Sequence, residues 1–322
     1  MNAIGVDVGG TKIAAAVVSS EGEILNEVRY PTQAVPPNRL VETIARAVTE
    51  VKDGYAVGGV CLAVPGLILA AENKVVFSPN LHEIEDIRLD EEMGRRTGLS
   101  VTVENDANAA AWGEFRFGAG KDVDHLVFIT LGTGVGGGVI THGVLLRGSQ
   151  GSGGELGHVT IDPAGPRCGC GNHGCLEALA SGTAIERRAR EVASELPNSA
   201  LGRLAIQRRV LGEDVTRLAQ EGDEAALQVL QETGMWLGIG LAGFVNVFNP
   251  EVIAVGGGAS RAGEFVLGPA RKEVQLRARS PSRDLVQIQE ASLGPESGVL
   301  GAAALARGED GEYVLGPSKR VT

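Results

Sequence analysis

The chain has 322 residues, of which 43% are hydrophobic, and its 29 Lys and Arg against 40 Asp and Glu give a formal net charge of −11. Length and composition indicate a globular protein with one large domain or two medium ones. The acidic balance argues against a nucleic-acid partner, because contacts to phosphates need clustered Lys and Arg. No apolar stretch approaches the roughly 20 residues of a membrane span, and the N-terminus lacks a signal-peptide pattern. We therefore expect a cytoplasmic protein with no membrane partner.

The apolar pattern of the first part of the chain predicts a strand–turn–strand opening followed by alternating helices and strands. The predicted strands are 3–8, 12–18, 24–30, 57–64 and 101–104, and the predicted helices are 38–51, 89–97 and one that begins at residue 106. An edge hairpin that reaches residue 77 follows the turn at Pro65 and Gly66.

The same pattern then restarts, which indicates a duplicated α/β domain. Strands are predicted at 126–131, 134–140, 144–146, 252–255 and 286–289, and helical sequence at 178–247, 264–279 and 297–306, before a polar tail from residue 308. We predict a smaller N-terminal domain, residues 1–118 plus 297–322, and a larger C-terminal domain, residues 119–296, with the hinge near 118–121.

The turn between the first two strands carries groups suited to phosphate. Gly9 and Gly10 let backbone N–H groups point at phosphate oxygens, and Thr11 and Lys12 add a hydroxyl donor and a cation. Asp7, at the end of the strand, is placed to hold Mg²⁺ through water. An ordinary β-hairpin that happens to carry an Asp and a Lys explains the motif equally well.

Two further glycine clusters follow strands. The segment 131–138 satisfies the dinucleotide-binding pattern, but a strand-like segment follows it where that pattern requires a helix. We therefore predict that 131–138 forms a hairpin whose turn lies against phosphate. The second cluster, 256–258, is predicted to pack against adenosine. The absence of a Gly-x-x-x-x-Gly-Lys-Ser/Thr loop and of a protein-kinase Asp-Phe-Gly excludes those phosphoryl-transfer classes. The nucleotide-binding residues predicted in the two clusters are Gly132, Thr133, Gly134, Gly256, Gly257 and Gly258.

Four polar residues lie within five positions, 104–108, where a strand ends and a helix begins. Capping the helix needs only one of them, and Asn105 or Asp106 would suffice. A carboxylate here could instead take the proton from a sugar hydroxyl as the hydroxyl attacks the γ-phosphate. Glu155 and His158 lie in a loop too rich in glycine for core packing, and they suit hydrogen bonds to hexose hydroxyls.

Three thiols fall within eight residues, and a histidine lies ten residues before the first of them. Disulfides are not expected in a reducing compartment, whereas three Cys and one His form a closed tetrahedral zinc site with no open position for catalysis. His173 is a competing fourth ligand, Glu177 should point into the sugar site, and Cys61 is interpreted as a small buried hydrophobe. The predicted zinc ligands are His158, Cys168, Cys170 and Cys175.

With these motifs in view, the chain resembles the actin–hexokinase superfamily and, within it, the ROK family (repressors, open reading frames, kinases). The motifs Asp-x-Gly-Gly-Thr-Lys at 7–12, Glu-Asn-Asp-Ala-Asn at 104–108, Leu-Gly-Thr-Gly at 131–134, Gly-Glu-Leu-Gly-His at 154–158 and Cys-x-Cys-Gly-x-x-Gly-Cys-x-Glu at 168–177 occur in the family's order. The resemblance implies a two-domain, actin-like (hexokinase or ribonuclease H-like) α/β fold with an interdomain cleft, and a homodimer or homotetramer.

The resemblance also implies the activity and the roles of individual residues. The expected reaction is phosphorylation of glucose at its C6 hydroxyl, with ATP and Mg²⁺, to give glucose 6-phosphate and ADP. Asp106 would be the catalytic base, and His158 would bind the structural zinc through one ring nitrogen and face the substrate with the other. The residues expected to contact the sugar are Gly66, Asn80, Asn105, Asp106, Glu155, His158 and Glu177.

Several alternatives stay open within the same family. An equatorial C2 hydroxyl can reach Glu155, His158 and Glu177 together, which favours glucose over mannose by about 1–3 kcal/mol. N-acetylmannosamine kinase is the nearest alternative, followed by fructose and allose kinases, and polyphosphate could replace ATP. We do not expect a DNA-binding repressor, because the first phosphate loop begins close to residue 1, nor an inactive sugar sensor, because Asp106 is present.

Overall fold

Two five-stranded sheets form the framework of the described part of the chain, residues 1–32, 39–69, 72–78 and 81–308 of a computed structural model. The strands are β1 (Asn2–Val8), β2 (Lys12–Val18), β3 (Ile24–Pro31), β4 (Val57–Val64), β5 (Leu67–Leu69), β6 (Lys74–Phe77), β7 (Val101–Asn105), β8 (Leu126–Leu131), β9 (Val135–Thr141), β10 (Val144–Leu145), β11 (Val252–Gly256) and β12 (Gln287–Glu290). The helices are α1 (Leu40–Lys52), α2 (Leu89–Thr97), α3 (Asp106–Phe117), α4 (Leu176–Ala180), α5 (Gly182–Glu195), α6 (Ala200–Gln207), α7 (Gly212–Gln220), α8 (Glu224–Phe248), α9 (Glu264–Arg277), α10 (Ser282–Leu285) and α11 (Ser297–Leu305).

The two sheets have the same topology. The first has the strand order β3-β2-β1-β4-β7, and the second has the order β10-β9-β8-β11-β12. In each sheet the first three strands along the chain form an antiparallel meander. The last two strands of each sheet are parallel to the first strand, β1 or β8. Because parallel strands end at the same edge, the residues that follow β1, β4 and β7 lie together, as do those that follow β8 and β11.

Helices α3 and α11 cross at close range and pack on the sheets from inside. A Cβ on Gly301 would lie 1.7 Å from the carbonyl oxygen of Ala109, and one on Gly113 would lie 2.3 Å from that of Ser297. Only glycine permits such an approach of two helix backbones. Helix α11 also contacts β1, β2 and β4, while α3 contacts β8 and β9. The start of α3, and with it Asp106, is therefore held between the two sheets.

The remaining helices cover the outer faces of the sheets. Helices α1 and α2 pack on the first sheet around a core that includes Ile44, Leu62 and Met93. Helices α5 to α9 form a larger core with the second sheet, which includes Leu131, Leu237 and Ile253. All six of these side chains are fully buried, so each sheet has its own hydrophobic core.

The chain passes between the two halves twice, and both crossings meet at Glu114. This carboxylate is completely buried. It accepts hydrogen bonds from the N–H groups of Ala119 (2.9 Å), at the first crossing, and of Ser292 (3.0 Å) and Leu293 (2.8 Å), at the second. The predicted domain boundaries, near residues 118 and 297, adjoin these crossings, and the division into two domains at those positions stays a prediction.

The predicted elements agree with the structure to within a few residues. The helical segment 178–247 consists of α4 to α8, and the short helix α10 was not predicted. Helix α9 ends at Arg277, earlier than expected, because Ala278 has extended backbone angles. The polar tail lies mostly outside the described residues. Among the described helices, none has both the length and the apolar character that a membrane crossing requires.

Candidate active site

Two neighbouring cavities meet at the start of α3. The smaller has a volume of about 430 Å³ and the larger about 780 Å³. Both are lined by Asp106, Ala107 and Thr130. Asp106 thus lies where a group bound in one cavity would meet a group bound in the other.

The smaller cavity is lined by residues from distant segments of the chain. Asp7 and Lys12 line it, whereas Gly9 and Gly10 form the β1–β2 turn outside its lining, with the Gly9 N–H donating to the carbonyl of Lys12 at 2.8 Å. Thr11 also lies outside this lining. Residues from the predicted glycine cluster after β11, and others that sequence reasoning missed, complete the wall. They are Gly256, Gly257, Gly258, Ser260, Arg261, Glu290, Pro295, Ser297 and Gly298. The Gly-Pro-Glu-Ser-Gly turn at 294–298 was the only available signal for the last three.

Asp7 has an unusual electrostatic environment. Burial raises its pKa to about 6, the nearby charge of Asp106 contributes to the increase, and Lys12 opposes it. The start of α11 approaches the carboxyl closely, because a Cβ on Gly298 would lie 3.1 Å from it. Near neutral pH this carboxyl is largely ionised, and it can bind a cation brought by a ligand of the smaller cavity.

Asn105, and not Asp106, caps helix α3. The Oδ1 atom of Asn105 accepts hydrogen bonds from the N–H groups of Ala107 (2.9 Å) and Asn108 (3.0 Å). Asp106 is the first residue of the helix, and burial raises the pKa of its carboxyl, against the lowering effect of backbone N–H groups. Because Asn105 caps the helix, the carboxylate of Asp106 is not required as a cap and can react with groups at the junction of the cavities.

The larger cavity brings together most of the predicted sugar contacts. Asn105 donates from Nδ2 to the carbonyl oxygen of Gly66 at 3.1 Å, and Glu177 accepts from the N–H of Val135 at 3.1 Å. Asn80 lies outside the described residues. The predicted sugar contacts that line this cavity are Gly66, Asn105, Asp106, Glu155, His158 and Glu177.

The glycine turn after β8 lies beside the larger cavity. Gly132, Thr133 and Gly134 line the larger cavity and not the smaller one. The start of α5 holds the turn in place: the Gly182 N–H donates to the carbonyl of Gly132 at 2.8 Å, and the Thr183 hydroxyl to that of Thr133 at 2.7 Å. Their predicted role in phosphate binding stays a prediction.

Glu155 and His158 face each other at the wall of the larger cavity. The Nε2 atom of His158 lies 3.9 Å from Oε2 of Glu155. Burial raises the pKa of Glu155, with a further increase from the charges of Asp106 and Glu177 and a decrease from His158. Three carboxylates around one cavity supply acceptors for several hydroxyl groups at once.

The other nitrogen of His158 belongs to a cluster of potential metal ligands. Its Nδ1 lies 3.7 Å from Sγ of Cys168, and the Sγ atoms of Cys170 and Cys175 are 3.7 Å apart. All four ligand atoms lie within 4.8 Å of one another. His173 is outside the cluster, exposed, with Nδ1 3.3 Å from the carbonyl of Gly165. Cys61 is buried in β4, as its apolar surroundings predicted.

The paired sheets and the cleft between them define an actin-like ATPase fold. The family model described as "ROK family" matches residues 3–309, and this chain belongs to that family. A glucokinase from Thermotoga maritima is 40% identical over 306 residues, which cover 94% of this chain and 96% of that relative. The family assignment made from the motifs is therefore confirmed.

Solved structures agree with this assignment. A ROK hexokinase from Thermus thermophilus matches with a TM-score of 0.81 at 36% identity, covering 96% of this chain and 99% of that one. A ROK family glucokinase from Streptomyces griseus, solved in complex with glucose and AMPPNP, matches with a TM-score of 0.80 at 39% identity, covering 96% of this chain and 100% of that one. The predicted actin-like α/β fold is confirmed.

Proposed function

We propose that this chain phosphorylates glucose at the C6 hydroxyl, using ATP, to give glucose 6-phosphate and ADP. The observation that carries the proposal is the position of Asp106 in the linings of both cavities. The smaller cavity has Lys12 for the phosphates and the carboxylate of Asp7 for the metal ion that accompanies them, and the larger cavity has several acceptors for hydroxyl groups. The glucokinase relatives, at 36–40% identity over nearly the whole chain, support the same activity.

The chemical step follows from this arrangement. The oxygen of the C6 hydroxyl attacks the γ-phosphorus of ATP while the carboxylate of Asp106 accepts the hydroxyl proton. The bond between the γ-phosphorus and the bridging oxygen breaks, and ADP leaves with that oxygen. Burial raises the pKa of Asp106, which strengthens its carboxylate as a proton acceptor. Because the protein holds the base and both reactants next to one another, it accelerates the reaction mainly by positioning these groups and by stabilising charge.

The nucleotide side of the junction binds the phosphates of ATP. We assign Lys12 to the β- and γ-phosphates and Asp7 to the Mg²⁺ that accompanies ATP, through water. That ion, when bound, neutralises charge that develops on the phosphates. Gly256, Gly257 and Gly258 would form a wall against the adenosine, since all three line the smaller cavity.

The sugar side selects the hexose. Glu155, His158 and Glu177 all line the larger cavity, and we expect an equatorial C2 hydroxyl to reach all three. An axial hydroxyl would leave a buried acceptor without its hydrogen bond, at a cost of about 1–3 kcal/mol. Glucose is therefore the proposed substrate, in preference to mannose.

A structural zinc ion is proposed for the Cys/His cluster. With Zn–S bonds of about 2.3 Å, tetrahedral geometry places two sulfurs about 3.75 Å apart, and the Sγ atoms of Cys170 and Cys175 are 3.7 Å apart. The ligands would be His158, Cys168, Cys170 and Cys175, which leaves no open position on the ion. Zinc bound at Nδ1 of His158 would leave Nε2, the nitrogen beside Glu155, for the sugar.

A coupled assay of ADP formation across a hexose panel tests the proposal. The panel contains glucose, mannose, N-acetylmannosamine, fructose and allose, and we expect the highest kcat/KM for glucose with ATP. The Asp106→Asn variant, purified in parallel, measures any contaminating kinase. A higher kcat/KM for another sugar would refute glucose as the substrate. Activity with polyphosphate but not with ATP would refute ATP as the donor. The absence of activity with every hexose of the panel would refute the assignment as a hexose kinase.

A further inference from the structure

Glu104, at the end of β7, is a buried carboxylate that contacts two different segments. Only 6% of the residue is exposed. Its Oε1 accepts from the N–H of Asn105 (3.0 Å) and from Nδ2 of Asn108 (3.0 Å), both at the start of α3. Its Oε2 accepts from Nε of Arg147 at 2.6 Å, from the other side of the cleft. One carboxylate thus joins the segment that carries Asp106 to the loop that follows β10 of the second sheet.

Arg147 begins the loop that leads to the sugar-side residues. It follows β10, and its carbonyl accepts from the N–H of Gly153 at 2.9 Å, which closes the loop 147–153 on itself. Gly154 then approaches the start of α3: a Cβ on it would lie 3.5 Å from Oδ1 of Asn108. Glu155 comes next in the chain. The position of Arg147 therefore determines where this wall of the larger cavity lies relative to Asp106.

We propose that Glu104 and Arg147 form a positioning pair, which holds the loop 147–154 against the catalytic end of β7 and thereby sets the affinity for the sugar and not for ATP. The inference rests on the proposed function and concerns residues outside the linings of both cavities. Neither side chain needs to touch a substrate. Their role is to hold the sugar contacts that follow the loop in place in the wall of the larger cavity.

Arg147 and Glu104 differ in burial, so the effect of losing the cation alone can be separated from the effect of losing both charged groups. The side chain of Arg147 is 25% exposed and that of Glu104 8%. Arg147→Met leaves a buried carboxylate without this cation, so it should lower both stability and sugar affinity. In the double variant Glu104→Gln/Arg147→Met, the Gln oxygen still accepts from Asn105 and Asn108, and no buried charge remains. Stability should then return towards that of the wild type, while the loop stays without its anchor.

The experiment compares the wild type, Arg147→Met and the double variant by steady-state kinetics, thermal unfolding and calorimetric titration with glucose. We expect the glucose KM and Kd to rise about tenfold or more in both variants, because small displacements of substrate contacts are costly. The unfolding midpoint should fall in Arg147→Met and recover in the double variant. The KM for ATP should not change, and kcat of the double variant should stay within about threefold of the wild type.

Arg188 and Glu232 provide the matched control, because their Nε–Oε2 distance is also 2.6 Å and neither lines the two cavities. Glu232→Gln/Arg188→Met should leave the glucose KM unchanged. Recovery of glucose KM together with stability in the Glu104/Arg147 double variant would overturn the positioning role, as would an unchanged glucose KM in Arg147→Met. A wild type without hexose kinase activity would instead overturn the proposed function, and the role of the pair with it.

Discussion

Glu114 and Ser292 lie 178 residues apart in the chain, and the Oε2 atom of Glu114 accepts hydrogen bonds from both the N–H (3.0 Å) and the hydroxyl (3.1 Å) of Ser292. The same carboxylate accepts from the N–H groups of Ala119 and Leu293. It therefore joins the two segments that connect the halves of the molecule. A carboxylate satisfied by backbone N–H groups is stable in a buried site because each oxygen accepts and none needs to donate.

Glu114→Gln should destabilise the protein by about 2–3 kcal/mol. The amide group of Gln would direct a donor towards the N–H groups that now donate to the carboxylate, so at least one buried donor loses its acceptor. Urea denaturation at pH 7 measures the change, with Glu91→Gln, at an exposed salt bridge, as the control. A loss of less than about 0.5 kcal/mol, the range of ordinary surface substitutions, would contradict the role of Glu114.

Asp106→Asn should lower kcat by about 10²–10⁴-fold, because the variant keeps the shape of the side chain and loses the proton acceptor. Helix α3 should remain intact, since Asn105 supplies the cap. Glucose and ATP affinities should change little, which calorimetric titration checks, and Asp53→Asn on the exposed end of α1 is the control. Near-normal turnover of Asp106→Asn would rule out this residue as the base.

The pKa values of Asp7 and Asp106 should be coupled. The charge of Asp106 contributes to the rise of the Asp7 pKa to about 6, and Lys12 opposes that rise. Asp106→Asn should therefore lower the pKa of Asp7, whereas Lys12→Met should raise it. Carboxyl ¹³C NMR titration of the ligand-free protein follows Asp7 directly. The same Asp7 pKa in both variants would show that burial alone causes the shift.

The pH dependence of activity should reflect these raised values. Asp106 accepts a proton only when ionised, so kcat/KM for glucose should fall as the pH decreases through its pKa. Because burial raises that pKa, the decline should begin above the ordinary range of an aspartate, which centres near 3.9. A pH–rate profile that stays flat down to about pH 4 would contradict the prediction.

Asp7→Asn should stabilise the ligand-free protein at neutral pH. The folded pKa of about 6 lies above the ordinary 3.8, so the folded state loses stability as the pH rises through this interval. The loss amounts to about 3 kcal/mol, at 1.36 kcal/mol for each pKa unit. Asn carries no charge, so the gain should appear at pH 7.5 and vanish at pH 4 in urea denaturation. An equal gain at both pH values would exclude this electrostatic origin. Activity with ATP should be lost in the same variant, as the proposed role of Asp7 requires.

One zinc ion per chain should be found by metal analysis of the purified protein. Cys168→Ser and His158→Ala should reduce the zinc content, and the serine variant should raise the glucose KM, because the wall that carries His158 and Glu177 loses its anchor. Cys61→Ala and His173→Ala are the controls, since neither residue belongs to the cluster. Full zinc content in Cys168→Ser, or zinc loss in His173→Ala, would refute the proposed ligands.

Local features of the sequence predicted most of the elements and several residues that line the two cavities, among them Asp106 and Glu155. Continuous apolar runs predicted β1, β4 and β8, because a strand that is buried on both faces is apolar at nearly every position. The spacing of Cys168, Cys170 and Cys175 predicted a metal cluster because ligands this close in the chain need no long-range folding to meet.

Only the tertiary structure decided which distant groups meet. The contacts of Glu104 with Arg147 and of Glu114 with Ser292 join segments 43 and 178 residues apart, and no local pattern encodes such pairs. The same holds for Arg261 and Glu290, which line the smaller cavity without any motif, and for the turn at Gly132, which lines the larger cavity. The packing of α3 and α11 between the two sheets sets these distances, and packing is a property of the whole chain.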